Sequence, residues 1–198
     1  MVMLVLRTYS VYAAGRVLVH SEDEKMLPAV TFVLGGAASG KSVIAENFIK
    51  NSGLQPLYIA TARIWDEEIQ LKVDQHRARR GGEWTCVDAP LDVAGALGGL
   101  GPEACVLVDC ATMWLTNVML DGLDLEAQQR AFLDALRACA APVVVVSNEV
   151  GQGIVPETAL GRAFREAQGR LNIALAAEAD CVVHVVAGLP RTLKGEMP

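Results

Sequence analysis

The chain has 198 residues, of which 52% are hydrophobic and 20% are charged, and its formal net charge is −6. This length fits one domain, and this composition excludes an intrinsically disordered chain. The negative charge provides no basic surface for nucleic acid, and no apolar run reaches the ~18–20 residues that span a bilayer. We therefore expect neither a nucleic-acid partner nor a membrane span.

The first segment, residues 1–27, is apolar but is interrupted by polar residues such as Arg7 and Arg16. These residues break up the apolar core that a secretory signal peptide needs. We predict that residues 1–27 are an N-terminal extension outside the core, and that residues 28–198 form a single catalytic domain. Met26 is a candidate alternative start directly before the first core strand.

Beyond this segment, short apolar runs alternate with stretches of helical periodicity. Such alternation is typical of a parallel sheet covered by helices, and strands buried on both faces are apolar throughout. The predicted strands are 29–34, 56–60, 105–109, 142–147 and 181–186. The predicted helices are 41–51, 66–80, 124–140 and 157–178. The pattern predicts an α/β fold with a mostly parallel sheet flanked by helices.

Polar and glycine residues gather where four of the predicted strands end. They are Gly35 and its successors after the first strand, Thr61, Ala62 and Arg63 after the second, Asp109 at the end of the third, and Asn148 and Glu149 after the fourth. Ligands of open parallel sheets bind in the crevice at the carboxyl ends of the strands. These positions therefore predict one ligand site, in which we assign the residues of the second and third strand ends to a nucleotide.

The string GGAASGKS, residues 35–42, matches the P-loop pattern GxxxxGK[ST] between a predicted strand and a predicted helix. Its small residues let backbone N–H groups surround phosphate oxygens, and the helix adds the positive end of its dipole. We expect Lys41 to reach the β- and γ-phosphates as a catalytic cation, and Ser42 to bind Mg²⁺. The predicted phosphate-binding residues are Gly35, Gly36, Ala37, Ala38, Ser39, Gly40, Lys41 and Ser42.

Asp109 has two interpretations. At the end of an apolar strand it occupies a Walker-B position, where a carboxylate holds Mg²⁺ or its waters. A strand-terminal Asp can instead cap a following helix, and one is predicted to begin near Thr112. Because the chain also carries a P-loop, we favour the metal role.

His76 lies in the predicted helix 66–80 and also has two interpretations. One is a partly buried histidine at the edge of an apolar stripe. The other is catalytic: simple phosphoryl transfer needs no covalent histidine, but an imidazole near a triphosphate can act as a nucleophile and form a phosphoramidate. The nearby Arg77, Arg79 and Arg80 suit an anionic nucleotide or, equally, a solvated helix end.

Together these motifs resemble one family, the bifunctional adenosylcobinamide kinase / adenosylcobinamide-phosphate guanylyltransferases of cobalamin biosynthesis. The resemblance covers about residues 28–190. Besides the P-loop it lies in the strings YIAT (58–61), QHRARRGGEW (75–84), VDCATMWLTN (108–117), SNEVGQGIVP (147–156), RAFR (162–165) and GRLN (169–172). Ala38 departs from the family, because many members have Arg there.

The resemblance implies a RecA-like P-loop NTPase fold, a homo-oligomer and two reactions at or near one site. First, ATP or GTP phosphorylates adenosylcobinamide, a corrinoid. Second, GTP donates GMP to an enzyme histidine with loss of pyrophosphate, and adenosylcobinamide phosphate then accepts the GMP to give adenosylcobinamide-GDP. His76 matches the family's guanylylated histidine.

The resemblance also favours a substrate or nucleotide role for Asn148 and Glu149. From the residues alone, a structural turn in which Glu149 caps an amide is an equal alternative. Arg162 and Arg165 lie three apart on one predicted helix, where they suit a phosphate or corrinoid carboxamides, or are solvated surface arginines.

Two other functions stay open: a P-loop kinase of another small metabolite with His76 merely packed, and a non-catalytic nucleotide-binding switch. The five cysteines are widely spaced and form no CxxC pair. This spacing is typical of free thiols in a reducing compartment, so we expect a cytoplasmic protein.

Overall fold

The computed structural model describes residues 27–64 and 81–198, and also residues 10, 11, 17, 18, 67, 70, 71, 73, 74 and 78. Ser10–Val11 and Val17–Leu18 pair as two short antiparallel strands. The rest of the predicted extension 1–27 lies outside the described residues, apart from Leu27. The described residues between 65 and 80 are helical, as the sequence predicts, whereas His76 lies outside the described part of the chain.

The elements of the core follow one another along the described chain, with the helical residues between 65 and 80 lying between the second and third strands. They are β1 Val30–Gly35, α1 Lys41–Asn51, β2 Gln55–Ala60, β3 Thr85–Asp88, α2 Val93–Leu97, β4 Ala104–Asp109, α3 Ala111–Leu120, α4 Leu125–Ala138, β5 Val143–Asn148, α5 Ala159–Glu178, β6 Cys181–Val186 and β7 Leu189–Lys194.

The seven core strands form one sheet in the order β3-β2-β4-β5-β1-β6-β7. Neighbouring strands run parallel except β7, which pairs antiparallel with β6. The predicted α/β fold with a mostly parallel sheet is confirmed. Strand β5 lies between β1, which leads into the P-loop, and β4, which ends at Asp109.

Both faces of the sheet are buried, which explains why its central strands are apolar without interruption. Along each strand, successive side chains alternate between the two faces. Phe32 and Val145 belong to the cluster that packs under α2–α5, whereas Val33 and Val146 belong to the cluster under α1. The first cluster includes Trp114, whose ring centroid lies 5.1 Å from that of Phe132.

The predicted strands agree with β1, β2, β4, β5 and β6 to within one residue at each end, and the predicted helix 41–51 is α1. The helices predicted at 124–140 and 157–178 are α4 and α5, slightly shortened by their caps. Asp124 accepts a hydrogen bond from the N–H of Ala127 at 3.0 Å, and Thr158 accepts one from Gly161 at 3.1 Å. These side chains satisfy backbone donors that an uncapped first turn leaves open.

The sequence did not predict β3, β7 or α2, and of α3 it predicted only the beginning. Strands β3 and β7 are the two edges of the sheet, so they lack the continuous apolar run of a buried strand. Most residues of β3 are exposed, and β7 contains Pro190, which is tolerated at an edge because it has no N–H to donate. Helix α2 spans only Val93–Leu97 and contains Gly95.

Helix α5 offers a matched pair of substitutions that tests this packing. Leu171 is 0% exposed and Ile173 is 73% exposed. We expect Leu171→Ala to lower the free energy of unfolding by about 2–5 kcal/mol, because it leaves a cavity under the sheet. Ile173→Ala should change the free energy by no more than about 0.5 kcal/mol. Urea unfolding measures both, and equal losses would contradict the assigned face of α5.

Candidate functional site

The P-loop joins the end of β1 to the start of α1. Two of its residues adopt left-handed backbone conformations, Ala38 with φ 55° and Gly40 with φ 92°. Alternation of left- and right-handed residues turns successive N–H groups toward a common point, which is how backbone amides form an anion-binding concavity. The loop therefore has the backbone features that a phosphate-binding role requires.

Gly35 stands where the structure has no room for a side chain. A Cβ at this position would lie 2.5 Å from the hydroxyl oxygen of Ser39 and 2.6 Å from the carbonyl oxygen of Val185 in β6. Any larger residue would push the loop away from the neighbouring strand. The first glycine of the motif is thus required by close packing.

Lys41 is the buried cation of the site. Its side chain is 9% exposed, and its Nζ donates a hydrogen bond to the carbonyl oxygen of Gly36 at 3.0 Å. Burial lowers the pKa of Lys41, while Cys110 and Asp109 act to raise it. Burial also raises the pKa of Cys110 to about 11, so at neutral pH this thiol is uncharged. The negative charge that supports protonated Lys41 is therefore that of Asp109.

Asp109 lies at the end of β4, opposite Ala60 of β2 and Val146 of β5. Because β5 pairs with β1 in register, the ends of β1, β2, β4 and β5 meet at the same edge of the sheet. This edge brings together the P-loop, Asp109, Asn148 and Glu149, as the sequence predicted.

Thr61 lies at the same edge but is fully buried. Its Oγ1 donates to the carbonyl oxygen of Cys110 at 2.8 Å and accepts from the N–H of Cys110 at 2.7 Å. The carbonyl oxygen of Thr61 accepts a further bond from Nδ2 of Asn117. The structure thus gives Thr61 a positioning contact with the chain that follows Asp109; its predicted contact with a nucleotide stays a prediction.

Arg63 forms a bidentate ion pair with Asp121, which follows the last turn of α3. Its Nη1 and Nη2 each lie 2.7 Å from a carboxylate oxygen. The hydrogen bonds raise the pKa of Arg63 and lower that of Asp121. The guanidinium therefore faces α3, and the neighbouring Ala62 is half-buried. The nucleotide role predicted for these two residues also stays a prediction.

Glu149 connects the end of β5 to the P-loop through its backbone. Its N–H donates to the carbonyl oxygen of Gly35 at 3.0 Å. Its Oε1 accepts a hydrogen bond from the N–H of Gly151 at 2.5 Å. This is the bond expected if Glu149 caps an amide in a structural turn. Asn148 lies directly opposite Gly35 in the β1–β5 register.

A buried polar network, made of Thr112, Ser147, Gln168 and Asn172, holds the backbone of Asn148. Thr112 Oγ1 accepts from the N–H of Asn148 at 2.8 Å, and Asn172 Nδ2 donates to its carbonyl oxygen at 3.1 Å. Asn172 Oδ1 accepts from Ser147 Oγ at 2.7 Å and from Gln168 Nε2 at 2.9 Å. The end of β5 is thus fixed by side chains of both α3 and α5.

Arg162 and Arg165 both bind the loop that leads from β5 to α5. Arg162 Nη1 donates to the carbonyl oxygens of Pro156, at 3.0 Å, and Glu157, at 2.6 Å. Arg165 Nη2 donates to the carbonyl oxygen of Gly151. Both guanidinium groups make contacts with loop carbonyls, which the sequence did not predict.

His76, Arg77, Arg79 and Arg80 lie outside the described residues. The positioning contacts of the buried network, of Asn117 and of Cys110 were not predicted from the sequence. Most of these residues lie in the strings VDCATMWLTN, SNEVGQGIVP and GRLN, Gln168 lies in none of them, and contacts across the fold are not visible in the chain order.

Three further properties of the described residues bear on the site. No cluster of three or more His, Cys, Asp or Glu side chains is arranged to hold a metal ion. None of the described helices is both long and apolar enough to cross a membrane. All five cysteines are free thiols, as expected.

An apolar groove between α3 and the start of α5, lined by Met119, Leu120 and Phe164, contains no residue of the P-loop. Its lining offers no charged group to a phosphate.

A family model described as "Cobinamide kinase / cobinamide phosphate guanyltransferase" matches residues 31–193 of the chain. The chain is 42% identical over 167 residues to the bifunctional adenosylcobalamin biosynthesis protein CobP of Pseudomonas aeruginosa, covering 83% of this chain and 96% of that protein. It is 38% identical over 178 residues to the bifunctional adenosylcobalamin biosynthesis protein CobU of Escherichia coli, covering 82% of this chain and 98% of that protein.

Among solved structures, the chain is similar to a prototypical ATPase of the type III secretion system of pathogenic bacteria, with a TM-score of 0.51 and 8% sequence identity. The match covers 85% of this chain and 59% of that chain. At this identity the likeness concerns the fold alone. The fold is the RecA-like P-loop fold that the family resemblance implies, with β5 inserted between β1 and β4.

Asn172 tests the buried polar network. We expect Asn172→Ala to lower the free energy of unfolding by about 2–4 kcal/mol, because Ser147, Gln168 and the carbonyl of Asn148 each lose a buried partner. Urea unfolding measures the loss.

The control lies two residues away on the same helix. Arg170 pairs with Glu166 at 2.8 Å, but the two side chains are 66% and 67% exposed. Arg170→Ala should therefore change the free energy of unfolding by no more than about 0.5 kcal/mol. A loss of that small size for Asn172→Ala would mean that the network does not hold the end of β5.

Proposed function

The chain belongs to the cobinamide kinase / cobinamide phosphate guanyltransferase family, and we propose that it catalyses both reactions that this name describes. The observation that carries the proposal is the family match over nearly the whole core, together with a P-loop built around the buried Lys41. The relatives from Pseudomonas aeruginosa and Escherichia coli are named as bifunctional proteins of adenosylcobalamin biosynthesis. We propose a cytoplasmic enzyme that acts as a homo-oligomer.

The first proposed reaction is a kinase reaction on adenosylcobinamide. The hydroxyl of its aminopropanol arm attacks the γ-phosphorus of ATP or GTP, and the nucleoside diphosphate leaves. Phosphoryl transfer depends on positioning and charge rather than on covalent catalysis, so the P-loop amides and Lys41 supply what the step requires. Burial strengthens the attraction between Lys41 and a phosphate, because water screens it less.

The oxygen atoms that the chain offers beside the P-loop are of the kind that Mg²⁺ binds. Ser42 offers a hydroxyl oxygen at the start of α1, and Asp109 offers a carboxylate two strands away in the sheet. Mg²⁺ prefers oxygen ligands and is held at nucleotide sites by one or two protein groups besides the phosphates. When bound, the ion would neutralise the charge of the phosphates.

The second proposed reaction passes through a guanylylated His76. The imidazole attacks the α-phosphorus of GTP, so that a P–N bond forms, pyrophosphate leaves and the imidazole loses its N–H proton. A phosphate oxygen of adenosylcobinamide phosphate then attacks the same phosphorus. The P–N bond breaks, the imidazole takes up a proton from the attacking phosphate group, and adenosylcobinamide-GDP and unmodified His76 result. This step is supported by the sequence string that contains His76 and by the guanyltransferase part of the family description.

The loop after β5 is the proposed substrate side of the site. Asn148 and Glu149 lie beside Gly35, so a group bound there lies next to the phosphates. Arg162 and Arg165 bind carbonyls of this loop, which supports a role in shaping the loop as well as in meeting the substrate. Thr61, proposed at the nucleotide, also holds the backbone of Cys110, and Arg63, proposed there as well, also pairs with the carboxylate of Asp121.

The histidine step predicts a covalent label. After incubation with α-labelled GTP and Mg²⁺, the protein should carry label that survives base and is lost in acid, as a phosphoramidate is. His76→Ala should carry none, whereas His184→Gln, which alters a half-buried histidine of β6, should be labelled like the wild-type protein. Label that persists in His76→Ala would exclude this histidine as the nucleophile.

The labelling assay and a measurement of ADP or GDP release together separate the alternative functions. A P-loop kinase of another metabolite would release nucleoside diphosphate without corrinoid dependence and would not be labelled. A nucleotide-binding switch would bind triphosphate but show no corrinoid-dependent release of ADP or GDP.

Lys41 tests the kinase site. We expect Lys41→Ala to lower kinase turnover at saturating nucleotide by about 100-fold or more, because one preorganised charge on the transferred phosphoryl group is lost. Lys50→Ala, at the exposed last turn of the same helix, should leave turnover unchanged. Unchanged turnover in Lys41→Ala would remove Lys41 from the catalytic site.

A further inference from the structure

The turn between β6 and β7 consists of Ala187 and Gly188. Both residues are left-handed, with φ values of 51° and 78°. Two consecutive residues with positive φ form the type I′ turn, which suits the twist of a two-residue hairpin. We call these two residues the hairpin turn.

The hairpin turn packs against the backbone of the P-loop. The N–H of Gly188 donates to the carbonyl oxygen of Ser39 at 2.8 Å. A Cβ placed on Gly40 would lie 3.2 Å from Cα of Gly188, so the two backbones are in close contact and a side chain at Gly40 would be crowded. The carbonyl oxygen of Val185, the last residue but one of β6, is the same atom that excludes a side chain at Gly35.

The hydrogen bond to Ser39 fixes the direction of a peptide unit. The carbonyl of Ser39 and the N–H of Gly40 belong to the same planar trans peptide, so they point in opposite directions. Because Gly188 holds the carbonyl toward the hairpin, the N–H of Gly40 points away from it. On the other side of the loop, the N–H of Glu149 holds the carbonyl of Gly35 in the same way.

We propose that the hairpin turn is a positioning element for triphosphate binding, and that Gly188 orients the Gly40 amide as a phosphate donor through the carbonyl of Ser39. The proposal rests on the function proposed above, since it assumes that the P-loop binds a triphosphate. It assigns a role to the last hairpin of the chain, which contains no residue of the P-loop motif.

The test substitution is Gly188→Ala. An added Cβ at Gly188 meets nothing within 4 Å, so the substitution acts only by disfavouring the φ of 78° and shifting the turn. The control is Gly99→Ala. Gly99 has a φ of 74° and equally open surroundings, but it precedes the amino end of β4, whereas the P-loop lies at the carboxyl ends of the strands. Ala187→Gly keeps the Gly188 N–H and relieves a left-handed alanine.

The measurement is the Kd of the full-length protein for a fluorescent GTP analogue with Mg²⁺, together with the free energy of unfolding without nucleotide. We expect Gly188→Ala and Gly99→Ala to lose similar stability, but only Gly188→Ala to bind more weakly, by about 3- to 10-fold, as the loss of one hydrogen bond predicts. Ala187→Gly should bind like the wild-type protein. Wild-type affinity in Gly188→Ala, or equal weakening in Gly99→Ala, would overturn the proposal.

Amide hydrogen exchange on the wild-type protein gives a second measurement that needs no variant to fold. The Gly188 amide should exchange slowly, and more slowly still with the GTP analogue bound. Exchange at the rate of an exposed turn amide would overturn the proposal. If the wild-type protein binds no analogue at all, the proposed function fails as well; if it binds and the Gly188 results are negative, the inference alone fails.

Discussion

The pairing of β1 with β5 on one side and β6 on the other is the constraint on which the site depends. It sets Gly35 opposite Asn148 and Val185, at the point where the chain leaves the sheet for the P-loop. Backbone contacts from both neighbours then fix the loop, and the carbonyl of Val185 leaves no space for a Cβ at Gly35. The phosphate-binding conformation is therefore a property of three strands and not of the motif alone.

The polar side chains of the core serve the same edge of the sheet. Burying a hydroxyl or an amide is unfavourable unless each finds a partner, so a connected group of them specifies one arrangement. Thr112, Ser147, Asn172 and the Nε2 group of Gln168 meet this condition by bonding to one another and to the backbone of Asn148. Thr61 does the same for the chain at Cys110. The edge of the sheet that carries the P-loop is thus held by polar contacts, whereas the two faces of the sheet are held by apolar packing.

The sequence predicted the elements whose signal lies in one short run of residues, and it missed the contacts between residues that are far apart in the chain. Central strands bury both faces and so carry a continuous apolar run, whereas the edge strands β3 and β7 carry none and were missed. The P-loop could be found because its spacing is set by the phosphates and the following helix. The ion pair of Arg63 with Asp121 joins residues 58 positions apart, and no local pattern records it. The role of His76 rests on sequence alone.

The position of the β6–β7 hairpin has a consequence for the order in which the protein is made. The P-loop is translated before either of the strands that lie beside β1, and the hairpin turn follows β6, later in the chain than α5. Contacts between residues so far apart form only after a long loop has closed. A ribosome-bound chain therefore displays the complete motif before the donor to Ser39 exists, and the loop acquires its final shape only after the hairpin turn has been translated.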